Sequence, residues 1–170
     1  EVPEAGRKAI LSTTLKLMDV AKEHVALPLA AMSALPLVAS ILRPTFSAWL
    51  IGKTEAGKSV LAHLHQSRFG TFPAFPQNFE STPTSVERSM NTTKDSLLVV
   101  DDYCPKDTPR ESERQRALAH SIIRSVGNGA SRGRAKSTTE ERTDFPPRGI
   151  TICTAEESPV GPGGAASLGN

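Results

Sequence analysis

The residues best suited to chemistry fall in two short stretches, Gly52-Lys53-Thr54-Glu55-Ala56-Gly57-Lys58-Ser59 and Leu97-Leu98-Val99-Val100-Asp101-Asp102. The first matches the spacing G-x-x-x-x-G-K-[ST], a loop whose backbone N–H groups cradle phosphates. Gly52 and Gly57 would allow the backbone conformations and close approach that wrap a phosphate at the positive end of the following helix. Lys58 would reach the β- and γ-phosphate oxygens. Ser59 would place its hydroxyl on Mg2+, a hard ion that keeps several waters and so needs few protein oxygens. With Lys53, Thr54, Glu55, Ala56 and Val60, these residues form the expected nucleotide-binding loop. No N-K-x-D base-reading motif occurs, which favours ATP over GTP.

The second stretch places Asp101 at the end of an apolar run, where an aspartate can hold the magnesium shell. Asp102 is then the natural residue to orient or deprotonate an attacking water. Its side chain is shorter than the glutamate common at that place, so Glu80 and Glu87 stand as alternatives. In Ile150-Thr151-Ile152-Cys153-Thr154-Ala155, Thr154 would sense a γ-phosphate beside Asp101, or be a buried hydroxyl satisfied by the backbone. Lys58, Asp102 and Thr154 are thus the expected catalytic residues, with Ser59 and Asp101 the expected Mg2+ ligands. Arg124, Arg132, Arg134 and Arg148 are the arginines available to stabilise charge in a neighbouring subunit's site.

These groups need elements to carry them. Phe46–Ile51 reads as a buried strand entering the loop, and Lys58 to Gln66 as the helix leaving it. Ser96–Val100 and Ile150–Ala155 read as further buried strands. The loop and the aspartates are expected at two adjacent strand ends. A helix opens in Ser81–Met90, with Thr82 or Thr84 as N-cap and Glu87 as capping-box partner of Thr84. Glu111–Val126 forms another, stopped by Gly127. Between Phe69 and Phe79, Pro73 and Pro76 leave room for a short edge strand. The alternation predicts an α/β fold with a mostly parallel sheet.

Upstream, Glu4–Glu23 has near-helical apolar spacing. Val25–Leu42 is uncharged and about as long as the shortest membrane span. Pro28, Pro36 and many small residues, without an aromatic belt, favour a buried helix or helical pair instead. We therefore expect residues 1–44 to be a helical segment packed on a core of residues 45–158, with 159–170 as a flexible tail.

A chain of 170 residues with 38% hydrophobic and 22% charged residues is that of one ordinary globular domain. The formal net charge of +2 says little, but Arg124 to Lys136 carries four basic residues and no acid. Arg124, Arg132, Arg134 and Lys136 could meet nucleic-acid phosphates. Cys104 and Cys153 show no metal-ligand spacing and read as reduced thiols of a cytoplasmic protein.

The loop "WLIGKTEAGKS", the run "DSLLVVDDY", and the stretches "FESTPTSVERSM", "RSVGNGASRGR" and "PPRGITICTAEESP" together resemble the P-loop ATPase core of helicase-like and primase-associated replication proteins of bacterial mobile elements, an uncharacterised predicted-helicase family. The resemblance implies a three-layer P-loop NTPase fold of the AAA+ or superfamily 3 kind. It also implies ATP and Mg2+ as ligands, assembly into a homo-oligomeric ring, DNA as partner, no membrane, and origin within a larger replication protein. A nucleotide-dependent small-molecule kinase and a non-hydrolysing structural ATPase are the competing readings.

Overall fold

The computed structural model describes residues 3–71, 74–75, 77–105, 108–130 and 145–159. Its frame is a four-stranded sheet of β1 (Ala48–Ile51), β2 (Gln77–Asn78), β3 (Leu97–Tyr103) and β4 (Ile150–Ala155), in the order β1-β4-β3-β2. Every pairing is parallel. The expected α/β class with a parallel sheet is therefore what the chain adopts. The expected adjacency of the two motif-bearing strands is not: β4 lies between β1 and β3. Sequence order could not reveal this, because a parallel crossover can skip a position that a later strand fills.

The central strands are buried on both faces, which is why their runs are continuously aliphatic and not alternating. Leu98 and Val100 of β3 and Cys153 and Ala155 of β4 face one way. They pack against α5 (Pro83–Thr92) and α6 (Pro109–Asn128) through Val86, Met90, Leu118, Ile122 and Val126. Leu97, Ile150 and Ile152 face the other way, toward Leu29 of α2 (Glu23–Ala34) and Leu61 of α4 (Lys58–Gln66). The sheet thus has helices against both faces. β1 is shorter than the expected Phe46–Ile51, and as an end strand it is only half-buried, with Ile51 51% exposed.

Helix ends follow local chemistry. Thr82 caps α5 by accepting from the Ser85 N–H, with Pro83 in the first turn; Thr84 lies inside the helix. α6 runs past the expected stop at Gly127 and ends at Gly129, whose φ of 60° is the left-handed cap that glycine takes readily.

The N-terminal segment is α1 (Glu4–Lys16), α2, and, after a 3-10 turn at Leu35–Val38, α3 (Ala39–Leu42). Burial of the apolar stretch is only partial. Ala26, Leu29, Ser33, Pro36 and Ala39 face inward, while Leu37 is 70% and Ile41 81% exposed. By length and hydropathy alone, Glu23–Leu42 is long and apolar enough to cross a membrane, with 28% of its apolar window buried. A polar pin fixes α2 to α4. Ser33 gives its proton to Leu29 O, so His65 Nδ1 must carry the hydrogen it shares with Ser33 Oγ. His65 Nε2 is buried with no partner among the described residues.

Burial, reinforced by Arg68, holds the His65 pKa below its ordinary 6.5. The unfolded chain then takes up a proton that the folded one refuses, so His65 contributes its full stability above pH 6.5 and loses it as pH falls. Urea midpoints measured from neutral pH into the acid range should drop below that value, and should drop less in His65→Phe. At the start of β4, a Cβ on Gly149 would collide with the Thr93 and Ser96 carbonyl oxygens of the α5–β3 turn. Gly149→Ala should destabilise the fold by roughly 1–3 kcal/mol in the same assay.

Candidate functional site

The loop between β1 and α4 is held from both ends. Gly52 N–H donates to Ala155 O of β4 at 3.1 Å, and Leu61 N–H to Gly57 O at 2.9 Å. Gly57 has φ 75°, a left-handed conformation that an L side chain rarely takes. Gly52 is different: a Cβ there would meet Lys58 Cδ at 3.7 Å and Ala56 Cβ at 3.8 Å, ordinary contacts. Among the described residues nothing stands in the way of a side chain at 52. Lys58 Nζ folds back beneath the loop and donates to Gly52 O at 2.8 Å and Lys53 O at 2.7 Å.

Beside the loop, β3 carries one extra residue. Val100 pairs with Cys153 and Tyr103 with Ala155, so Asp101 and Asp102 together oppose the single Thr154. This is a β-bulge, a device that re-aims side chains beside sites. Asp102 absorbs it with φ 66°, a left-handed conformation that aspartate tolerates better than most residues. The shift returns Tyr103 to the face of Leu98 and Val100. There its ring meets Phe79 at 5.1 Å and Trp49 edge-on at 5.8 Å.

The bulge leaves Asp101 aimed at α4. Its Oδ1 accepts from Ser59 Oγ at 2.8 Å and from Thr154 Oγ1 at 2.6 Å. Thr154 Oγ1 in turn accepts the Asp102 N–H at 2.9 Å. Ser59, Asp101, Thr154 and the bulge are thus one hydrogen-bonded unit, although their sequence positions are far apart. Thr154, buried at 1% exposure, spends its proton on Asp101. Among the described residues no three His, Cys, Asp or Glu side chains gather as a metal cluster. A cation here would use Asp101 and the free lone pairs of Ser59, hard oxygens of the kind Mg2+ takes.

One carboxylate was not singled out by sequence reasoning. Glu156 directly follows β4; its Oε1 accepts from Thr54 Oγ1 of the loop at 2.5 Å and its Oε2 from Cys104 Sγ at 3.1 Å. Only its closeness to Thr154 in the chain hinted at this.

The remaining sequence-selected groups are more dispersed. The Asp102 side chain is exposed, and Glu80 and Glu87 follow β2, the strand at the sheet edge opposite β1. Arg124 is exposed on α6, and Arg148 precedes β4, at the end of the sheet away from the loop. Arg132, Arg134 and Lys136 lie outside the described residues, as does the chain from 160 to 170. On the β1 side of the loop, a cavity of about 890 Å3 opens toward the start of α2, lined among others by Lys22, His24, Val25, Ala56 and Val60.

No curated protein matches the chain. The solved structure "SCCmec type IV Cch - active helicase" is similar in fold, with a TM-score of 0.50 and 16% identity over 86% of this chain. The chain spans 27% of that protein's length. The family described as "Domain of unknown function (DUF927)" matches residues 15–145, a stretch that takes in the loop, α4 to α6 and both aspartates, and the chain belongs to that family.

Proposed function

We propose that this chain is an ATP-binding P-loop domain, built as a three-layer P-loop NTPase, and the ATP-hydrolysing motor of a helicase-like replication protein. The observation that carries this reading is the convergence of Ser59 and Thr154 on one oxygen of Asp101, directly beside a loop of the full G-x-x-x-x-G-K-S pattern. A turn that only connected β1 to α4 would have no need of a lysine folded beneath it or an aspartate reaching its serine.

In this reading the loop's N–H groups from Gly52 to Ser59 hold the phosphates, with Val60 continuing the first turn of α4. Lys58 exchanges the Gly52 and Lys53 carbonyls for phosphate oxygens. Ser59 and Asp101 hold Mg2+, which when bound neutralises phosphate charge and polarises the terminal phosphoryl group. Thr154 is a positioning residue that acts through Asp101 and the Asp102 N–H, and Asp102 is the residue open to a water. The cavity of about 890 Å3 has the size of a small-molecule site and lies where base and sugar would follow the phosphates.

The likeness in fold to a structure named as a helicase supports a motor over a kinase; a homo-oligomeric ring and a cytoplasmic location are proposed with it. Arg124, with Arg132, Arg134 and Lys136, is the proposed DNA contact. Arg148 lies far from its own site, as an arginine serving a neighbour would.

Lys58→Ala is expected to weaken ATP binding about 100-fold, the worth of a charge-assisted contact of roughly 3 kcal/mol. Calorimetric titration measures this directly. Asp101→Asn keeps an acceptor for Ser59 and Thr154 but removes the charge, so the gain in ATP affinity on adding Mg2+ should largely vanish while Mg2+-free binding stays. ATP hydrolysis that rises with single-stranded DNA and is lost in Lys58→Ala supports the motor; turnover indifferent to DNA contradicts it.

A further inference from the structure

We infer that Glu156 faces the terminal phosphate of the bound nucleotide and sets the discrimination between nucleoside triphosphate and diphosphate. This rests on the nucleotide reading above and adds to it a residue that the loop motif and the Asp101–Asp102 pair do not include.

The strand order fixes which end of the nucleotide meets which residue. The cavity for base and sugar lies on the outer side of the loop, against the edge strand β1 and the start of α2. A phosphate chain running inward from there passes over the loop toward the tips of β4 and β3, where Thr154 and Asp101 stand. Its last phosphate therefore arrives beside the residues that follow β4, and Glu156 is the carboxylate there.

Glu156 is also anchored. Its backbone N–H donates to Tyr103 O at 2.9 Å, fixing it to the end of β3 beyond the bulge. Its carboxylate spans the mouth of the site, one oxygen on Thr54 of the loop and the other on Cys104 after β3. Hydrogen bonds from Thr54 and Cys104, then the Lys58 charge, hold its carboxyl below the ordinary 4.5, so it is ionised at neutral pH. Lys58 is the side chain expected on the β- and γ-phosphates, and its charge already reaches this carboxylate. Asp102, with φ 66° and an exposed side chain, is not tied across the loop as Glu156 is through Thr54.

A carboxylate beside the last phosphate acts differently on two ligands. It repels the γ-phosphate of ATP and scarcely reaches ADP, which ends one phosphate earlier. It also exchanges its Thr54 partner for a new neighbour only when a third phosphate is present. Glu156 thereby holds the loop closed when no nucleotide is bound and makes the triphosphate state one of higher energy.

The test is calorimetric titration of the full chain with Mg-ADP and with the Mg2+ complex of a non-hydrolysable ATP analogue, for the parent chain, Glu156→Gln and the neighbouring exposed Glu157→Gln. Glutamine keeps an acceptor for Thr54 and the size of the side chain, so loss of charge is isolated from loss of fold. Glu156→Gln should tighten the triphosphate analogue by about tenfold, one screened like-charge contact, and leave ADP within about twofold. Glu157→Gln should move neither ligand.

An unchanged ratio in Glu156→Gln, or equal shifts for both ligands, overturns the proposal and leaves the nucleotide reading intact. The same holds if Asp102→Asn moves the ratio in place of Glu156→Gln. A parent chain that binds neither nucleotide overturns the nucleotide reading, and the role of Glu156 with it.

Discussion

A single carboxylate oxygen organises this molecule. Asp101 Oδ1 draws together a hydroxyl from the helix after the loop and a hydroxyl from the strand beside it, so α4, β3 and β4 meet at one atom. Its position depends on the bulge. Without the extra residue, the face that carries Tyr103 would reverse, and its ring would leave the cluster with Trp49 and Phe79. Holding Asp102 in a left-handed conformation costs roughly 1–2 kcal/mol. Burial of Tyr103 against two aromatic neighbours offsets this, each ring pair being worth about 0.5–1.5 kcal/mol beyond its buried area. The core thus stabilises the distortion that aims the aspartates.

The loop shows the same economy in its polar contacts. Lys58 satisfies two carbonyls of its own loop, Thr54 is held by Glu156, and Gly52 is tied to β4. Residues 53–57 are exposed, so water could satisfy the same groups, and these contacts order the loop more than they stabilise the fold. In the proposed function phosphate oxygens take the place of the two carbonyls that Lys58 holds. Of the two loop glycines, Gly57 answers to the backbone, whereas nothing among the described residues stands in the way of a side chain at 52.

Much of this frame is legible in the sequence, for physical reasons that differ by element. The apolar runs at Leu97–Val100 and Ile150–Ala155 announce buried parallel strands, and α4 begins and ends where periodicity puts it, at Lys58 and Gln66. The loop is legible as the link from a strand to a helix, because its glycines break the apolar run and Gly57 takes a left-handed conformation at the start of α4. Three features were not. The place of β4 between β1 and β3 is a matter of long-range pairing, on which local pattern is silent. The bulge changes register by one residue and leaves no compositional mark, since Asp101 and Asp102 read equally well as a strand end. Glu156 is drawn to Thr54 across 102 positions of sequence, which only the folded chain brings together. The apolar stretch before the strand reads as a buried helix or helical pair; it is helical, with a 3-10 turn between α2 and α3, but much of its surface, including Leu37 and Ile41, faces outward.

The central claim is that the loop, Ser59 and Asp101 form one magnesium–nucleotide site at the tips of β1, β3 and β4. A crystal structure of the full chain with Mg2+ and a non-hydrolysable ATP analogue tests it most directly. The account predicts phosphate density inside the loop from Gly52 to Ser59, the Lys58 amine moved from its two carbonyls onto phosphate oxygens, and a cation between Ser59 and Asp101. Nucleotide bound elsewhere, or an unchanged Lys58 with the loop still closed on itself at saturating ligand, would contradict it.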